Sequence, residues 1–252
     1  MAQIKMLDAG SHAEKALAGA VALVTGGSRG IGLAIALKLA TLGASVAICG
    51  RDANALNGAI AHIETLGGRV FGATADVTLP ARVDDLVART VGALGPISIL
   101  VNNAGIGVFG PAHEKSEEDW DRVLNTNLKS VFLVSKAVAP SMIARKSGDI
   151  VNISSLAGLN AFAGGGIYCA SKWGLQGLSA CMAEDLRGHG IRVSTVCPGS
   201  VATEFSGSGP KDASKVLSPE EVAHVVAMIV TQSAKSFVSQ VQIRPLSKPG
   251  KP

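Results

Sequence analysis

Seven short apolar runs recur along the chain with helix-length segments between them. The runs are AVALV (20–24), SVAIC (45–49), VFGAT (70–74), ISILV (97–101), DIVNI (149–153), RVSTV (192–196) and FVSQVQI (237–243). Each has strand length and carries β-branched residues, which suit a pleated surface. The intervening segments 31–43, 52–68, 79–94, 116–146, 166–189 and 218–231 space their apolar residues as helices do. The first ends at Gly43 and the second at Gly67–Gly68, both stop signals, while Asp52 or Asn54 offers a cap where the second begins.

Strands that alternate with helices form βαβ units, and right-handed crossovers place helices on both faces of a parallel sheet. The expected fold is therefore α/β: a doubly wound, Rossmann-type parallel sheet of about seven strands. Composition agrees, because 47% hydrophobic residues with only 4% aromatics supply a core of Val, Ile, Leu and Ala. Such a chain is not disordered. No linker or repeat interrupts the alternation, so residues 1–16 read as a polar N-terminal extension and 17–252 as one domain. The loop from Gly199 to Ser218, which includes SGSGPKD, lacks periodicity and reads as a lid.

Several functions are excluded by the same residues. The net charge is +4, with no run of five like charges, so no nucleic-acid surface is expected. No stretch approaches the ~20 apolar residues of a membrane helix. ALAGAVALV (16–24) has the length of a signal core, but it leads directly into TGGSRGIG and cleavage there would damage that motif. Cys49, Cys169, Cys181 and Cys197 show no C-x-x-C or zinc-like spacing, which fits reduced thiols in a cytoplasmic protein without a metal.

The chemistry-bearing residues cluster where strands end. TGGSRGIG (25–32) joins the first strand to the first helix. Its glycines allow a tight turn and close backbone approach to a pyrophosphate at the helix N-terminus. A cofactor with a free 2′-hydroxyl usually meets an acid at the end of the second strand, where this chain has Gly50. Arg51 follows, and Arg29 lies in the glycine loop. Two guanidinium groups suit a 2′-phosphate, hence NADP(H). NAD(H) would require Asp52 to hold the ribose, and Asp52 reads better as a helix cap.

Asp76, in ADV (75–77), offers a carboxylate to an adenine amino group. Asn102 to Gly105 forms a small backbone-exposing turn suited to a ring or ribose. Tyr168 is the sole tyrosine, and Lys172 stands four residues later, on the same face of a helix. An ammonium there is expected to lower the phenol's pKa from ~10 and let it exchange a proton with a hydroxyl or carbonyl. Ser154 or Ser155 closes the fifth strand at the same edge. Each feature alone is ordinary turn chemistry. Together with Pro198–Gly199 they occupy one sheet edge, where open α/β folds bind ligands.

Together TGGSRGIG, DV (76–77), NNAG (102–105), NTN (125–127), SS (154–155) followed by YCASK (168–172), and PGSVAT (198–203) resemble the short-chain dehydrogenase/reductases. The likeness is to the compact single-domain kind that includes 3-oxoacyl-acyl-carrier-protein reductases, and it runs from about residue 17 to 243. The resemblance implies a catalytic tetrad of Asn127, Ser155, Tyr168 and Lys172, with Asn127 bending its helix and holding a water near the lysine. The residues expected to hold the cofactor are Gly26, Ser28, Arg29, Gly30, Ile31, Gly32, Arg51, Asp76, Val77, Asn103, Ala104, Gly105, Tyr168, Lys172, Pro198, Gly199, Val201 and Thr203.

The resemblance also implies a homo-oligomer built through 116–146 and 166–189, and a small carbonyl or alcohol substrate, with a 3-oxoacyl thioester as the leading choice. An NAD(H)-dependent alcohol, steroid or sugar dehydrogenase is the alternative within the family, and a non-catalytic dinucleotide sensor the alternative outside it. Phe109, Phe162 and Phe205 fall in strand-edge loops and either line an apolar pocket or pack the lid. His113 reads as a solvated loop residue. One departure stands out: VQIRPLSKP (241–249) replaces the glycine-ended segment that many relatives carry, which touches both pocket and subunit contacts.

Overall fold

The computed structural model describes residues 16–206 and 212–247. Its strands are β1 (Val21–Thr25), β2 (Ser45–Gly50), β3 (Val70–Thr74), β4 (Ile99–Asn102), β5 (Gly148–Ile153), β6 (Ile191–Pro198) and β7 (Gln240–Ile243). Its α-helices are α1 (Gly30–Thr41), α2 (Ala53–Glu64), α3 (Pro80–Leu94), α4 (Glu117–Leu124), α5 (Ser130–Arg145), α6 (Gly166–Arg187) and α7 (Pro219–Val230). All strands pair in parallel, in the order β3-β2-β1-β4-β5-β6-β7. The expected doubly wound fold is the one observed.

Side-chain alternation along β1 shows why both faces are covered. Ala22 and Val24 enter the layer under α1, α2 and α7, while Val21 and Leu23 enter the layer under α3, α5 and α6. A strand buried on both faces has no polar side to show, which explains the continuous apolar runs. The chain direction across the sheet reverses between β1 and β4. The connections leave β1 and β4 toward opposite faces, which opens a crevice beyond their carboxyl ends.

Three expectations need correction. The segment 116–146 is not one α-helix. A five-residue π turn, Asn125–Lys129, separates α4 from α5, and helix-type periodicity does not reveal the one extra residue that such a turn accommodates. The last strand is shorter than 237–243, because residues 237–239 lie before the ladder that begins with Thr195 beside Gln240. The Asn102–Gly105 turn begins one residue late, since Asn102 ends β4 and is buried. The extension before Ala16, the lid interior 207–211 and the chain beyond Ser247 lie outside the described residues.

Arg192 anchors the end of the chain. Its guanidinium grips Asp149 of β5 through two bonds of 2.7 and 2.8 Å, and donates to the carbonyls of Gln232, Ser233 and Ser236. These bonds tie the connection from α7 to β7 against the sheet.

Candidate active site

The crevice is built first by the turn after β1. Gly26 and Gly30 adopt φ of +63° and +54°, a region that side-chain-bearing residues avoid. Space is as restrictive as torsion. A Cβ on Gly32 would lie 2.1 Å from the Gly26 carbonyl oxygen, and one on Gly26 would lie 3.0 Å from Ala104 Cα. Gly50 lacks a side chain because Ser28 Oγ occupies the place, 2.9 Å from where its Cβ would be. This bare backbone at the start of α1 is a cradle suited to a pyrophosphate.

Thr25 binds this turn to the next one. Its hydroxyl oxygen accepts from the Asn103 and Ala104 amides at 3.0 and 3.1 Å. The Asn103 side-chain amide donates back to the Thr25 and Gly26 carbonyls at 3.0 and 3.1 Å. Asn103, Ala104 and Gly105 thus stand beside the glycine loop. Asn102 does not: it is turned inward, donating to Asn152 and Ser135.

The far end of the crevice, beyond β2 and β3, is polar. Arg51, Thr74, Ala75, Asp76 and Arg82 line a cavity of about 360 Å³. Burial raises the Asp76 carboxyl, but the Thr78 hydroxyl and amide and the Arg51 charge outweigh it, so its pKa lies below the usual value. One Asp76 oxygen is already held by Thr78, at 2.9 and 2.7 Å. Val77 beside it is buried. Asp52 caps α2, its carboxylate accepting from the Asn54 and Ala55 amides at 2.9 and 3.1 Å. Arg29 does not line the cavity and pairs with Glu204 at 3.2 Å.

Segment 198–206 crosses the glycine loop from the other side. Pro198 ends β6 and Gly199 bonds the Ile243 carbonyl at 2.8 Å. Pro245, in the unusual terminal segment, comes within 2.9 Å of where a Gly199 Cβ would be. Val201 is buried and bridges to Leu217. Thr203 reaches Gly30, its methyl 3.3 Å from a Cβ placed there. Ile31, behind the loop on α1, packs partly buried against the core.

The four residues expected to move the proton come from the π turn, the end of β5 and the first turns of α6. Asn127, fully buried in the π turn, accepts from the Ile106 amide at 2.8 Å and donates to the Ile106 carbonyl and Ser171 Oγ at 2.9 and 3.0 Å. Its oxygen and the Lys172 ammonium both lie within 4 Å of a Cβ placed on Gly105. Lys172 is buried and donates to the Ile153 carbonyl at 2.9 Å. Its Nζ is 5.9 Å from the centre of the Tyr168 ring. Ser155 accepts from the Ala157 amide at 3.1 Å, and its hydroxyl lies near enough to the Tyr168 phenol to favour the phenolate. Ser154 turns instead toward Gln176, whose amide donates to it at 3.4 Å.

The expected acidic phenol is not found. Burial pushes the Tyr168 phenol up to about 12, the Ser155 hydrogen bond lowering it and nearby Cys169 raising it further. Burial also pushes the Lys172 ammonium down to about 8, with Cys197 opposing. Desolvation penalises each charged form and exceeds the attraction that i,i+4 spacing suggests.

The family model for short chain dehydrogenases matches residues 20–214. The chain belongs to the short-chain dehydrogenase family. It is an oxidoreductase of that family, 44% identical over 190 residues to a gluconate 5-dehydrogenase of Gluconobacter oxydans, covering 75% of this chain and 74% of that one. It is 36% identical over 234 residues to a 3-oxoacyl-(acyl-carrier-protein) reductase of Synechocystis, covering 89% and 94%. A crystal structure of a metagenomic short-chain oxidoreductase in complex with NADP superimposes with a TM-score of 0.82 at 42% identity, over 92% of this chain and all of that one.

Short-chain dehydrogenase motifs bring most of the sequence-derived residues to one crevice, but three contributors escaped sequence reading. Thr25 looks like an ordinary β-branched strand residue. Arg82 sits in the first turn of an amphipathic helix. Ser171 is hidden between Tyr168 and Lys172. A polar residue inside an apolar strand run was the available signal for Thr25. Among the described residues no three His, Cys, Asp or Glu side chains group as metal ligands, and no helix is long and apolar enough to cross a membrane.

Proposed function

We propose that the protein is an NADPH-dependent reductase that converts a ketone or aldehyde to an alcohol. The observation that carries this reading is the buried Tyr168 phenol, close to the Ser155 hydroxyl and beside the Lys172 ammonium, next to the glycine-lined crevice. A phenol raised to about 12 is neutral at physiological pH and ready to donate, which suits protonation of a carbonyl oxygen better than proton removal from an alcohol.

One lone pair of the Ser155 hydroxyl takes the Ala157 amide, which leaves its O–H for the carbonyl oxygen. Tyr168 gives the proton. Lys172 keeps two N–H groups beyond the one on Ile153 for a ribose hydroxyl and the phenol. Asn127 fixes the Ile106 loop and with a water returns the proton. Bound NADPH supplies the hydride. The glycine-loop amides with Ser28 and Ile31 would hold its pyrophosphate, Arg51 and Arg82 its 2′-phosphate, Asp76 and Val77 its adenine, and Asn103 to Gly105 its ribose and ring.

NADP(H) is preferred to NAD(H) because Asp52, the one carboxylate at the end of β2, is committed to capping α2. A 3-oxoacyl thioester is a candidate substrate, supported by likeness to an acyl-carrier-protein reductase. A homo-oligomer is proposed through α4, α5 and α6, where Leu124, Leu128, Phe132 and Leu178 line an apolar groove of about 400 Å³. Four free cysteines favour a cytoplasmic location. Reduction of a carbonyl panel, followed by NADPH absorbance with wild type and Tyr168→Phe, tests the reading. Near-normal rates in the variant refute it.

A further inference from the structure

Two phenylalanines from separate parts of the chain converge on the single tyrosine, and a third stands beside one of them. Phe109 follows β4, Phe162 precedes α6 and Phe205 follows β6. The Phe109 and Phe205 rings lie 5.4 and 5.7 Å from the Tyr168 ring, inclined at 63° and 60°, and Phe162 lies 6.2 Å from Phe109. They are not core residues, being 37, 49 and 40% exposed in the order Phe109, Phe162, Phe205. Exposed apolar rings gathered around a reactive group mark a ligand surface rather than packing.

Two glycines make room for them. A Cβ on Gly107 would lie 2.7 Å from Phe109 Cε2 and 3.0 Å from Phe205 Cε1, and one on Gly165 would lie 2.6 Å from Phe162 Cζ. Any side chain there would push a ring off its place. Neither glycine has a positive φ, so the missing side chains serve the rings and not the backbone.

We propose that Phe109, Phe162 and Phe205 form an aromatic frame that selects the substrate: a ketone bearing an aryl group beside its carbonyl, in preference to a polyhydroxylated keto acid. This deepens the reductase reading and rests on it. The carbonyl oxygen is taken by Tyr168 and Ser155, which leaves the rings to meet the flanking group. Aromatic edges and faces suit another flat ring. They offer nothing to a row of hydroxyls, which would leave water without new partners.

The test uses the full chain with saturating NADPH and three ketones: a benzoylacetate ester, the matching acetoacetate ester and 5-ketogluconate. The expected kcat/KM for the aryl ester exceeds that of the methyl analogue by about tenfold or more, and that of the polyol acid by about a hundredfold. Phe109→Leu and Phe205→Leu each lower the aryl-to-methyl ratio by about fivefold, through KM. Equal rates for aryl and methyl, preference for the polyol, or equal loss on both esters through kcat overturns the frame. Should no ketone be reduced, the reductase reading fails and calorimetry still decides the frame. With NADP present, 1-phenylethanol is expected to bind wild type and to bind Phe205→Leu at least about fivefold more weakly. No heat with wild type overturns it.

Discussion

The inner and outer ends of the crevice are built differently. At the inner end, Thr25, Asn103, Asn127 and Lys172 are tied to backbone amides and carbonyls at or just beyond the ends of β1, β4 and β5. At the outer end, Arg51 is exposed and Arg29 meets Glu204 through an ion pair whose side chains are 75 and 84% exposed. Bonds that are buried and backbone-directed fix positions to a fraction of an ångström. Exposed charged side chains attract without fixing. The inner end is therefore suited to chemistry and the outer end to choosing partners.

The contrast breaks most clearly at Tyr168. Tyr168→Phe is expected to lower kcat about 10³-fold or more while the NADPH dissociation constant changes less than about threefold. Stopped-flow turnover and fluorescence titration measure the two separately. Asn127→Ala should come next. It removes the partner of the half-buried Ile106 amide and empties a fully buried site, and a loss of about 2–4 kcal/mol in urea unfolding is expected, together with a large fall in kcat.

Outer-end changes should alter selection and leave the fold intact. Arg51→Ala is expected to reduce the NADPH-to-NADH ratio of kcat/KM about tenfold to a hundredfold, with the melting temperature unchanged. Glu204→Gln should do least: an unchanged melting temperature and less than about a threefold change in NADPH affinity. If Glu204→Gln proves as damaging as Asn127→Ala, the distinction between the two ends is wrong.

The pH profile sharpens the same comparison from within. Tyr168 is protonated below about 12, so alcohol oxidation, which needs the phenolate, is expected to rise with pH. Lys172 is a cation below about 8. Carbonyl reduction should thus hold steady through neutral pH and decline above about 8 as that charge is lost. Initial rates in both directions from pH 6 to 10 would show the divergence, and parallel profiles would contradict it.

Much of this was legible before any coordinates. Short continuous apolar runs such as AVALV marked the sheet, and glycines in TGGSRGIG marked its binding edge, because both signals are confined to a few neighbouring residues. What escaped depends on three-dimensional surroundings. The elevated phenol pKa follows from burial by residues distant in the chain. The inward turn of Asn102 depends on Asn152 across the sheet. The π turn leaves no trace in residue periodicity because a single extra residue merges into the α-helical pattern on either side. Ser155 was separated from Ser154 only by family likeness, and the geometry supplies the reason: one faces the phenol, the other faces Gln176.

The π turn at Asn125–Lys129 also restricts how the chain can change its length. Excising one residue there would restore ordinary winding and rotate α5 by roughly 100° relative to α4. Val131, Val134, Val138 and Met142, now buried, would swing out of the sheet's cover together. Homologous chains can therefore exchange residue types through this stretch, but a one-residue deletion or insertion is a step the fold cannot take by degrees.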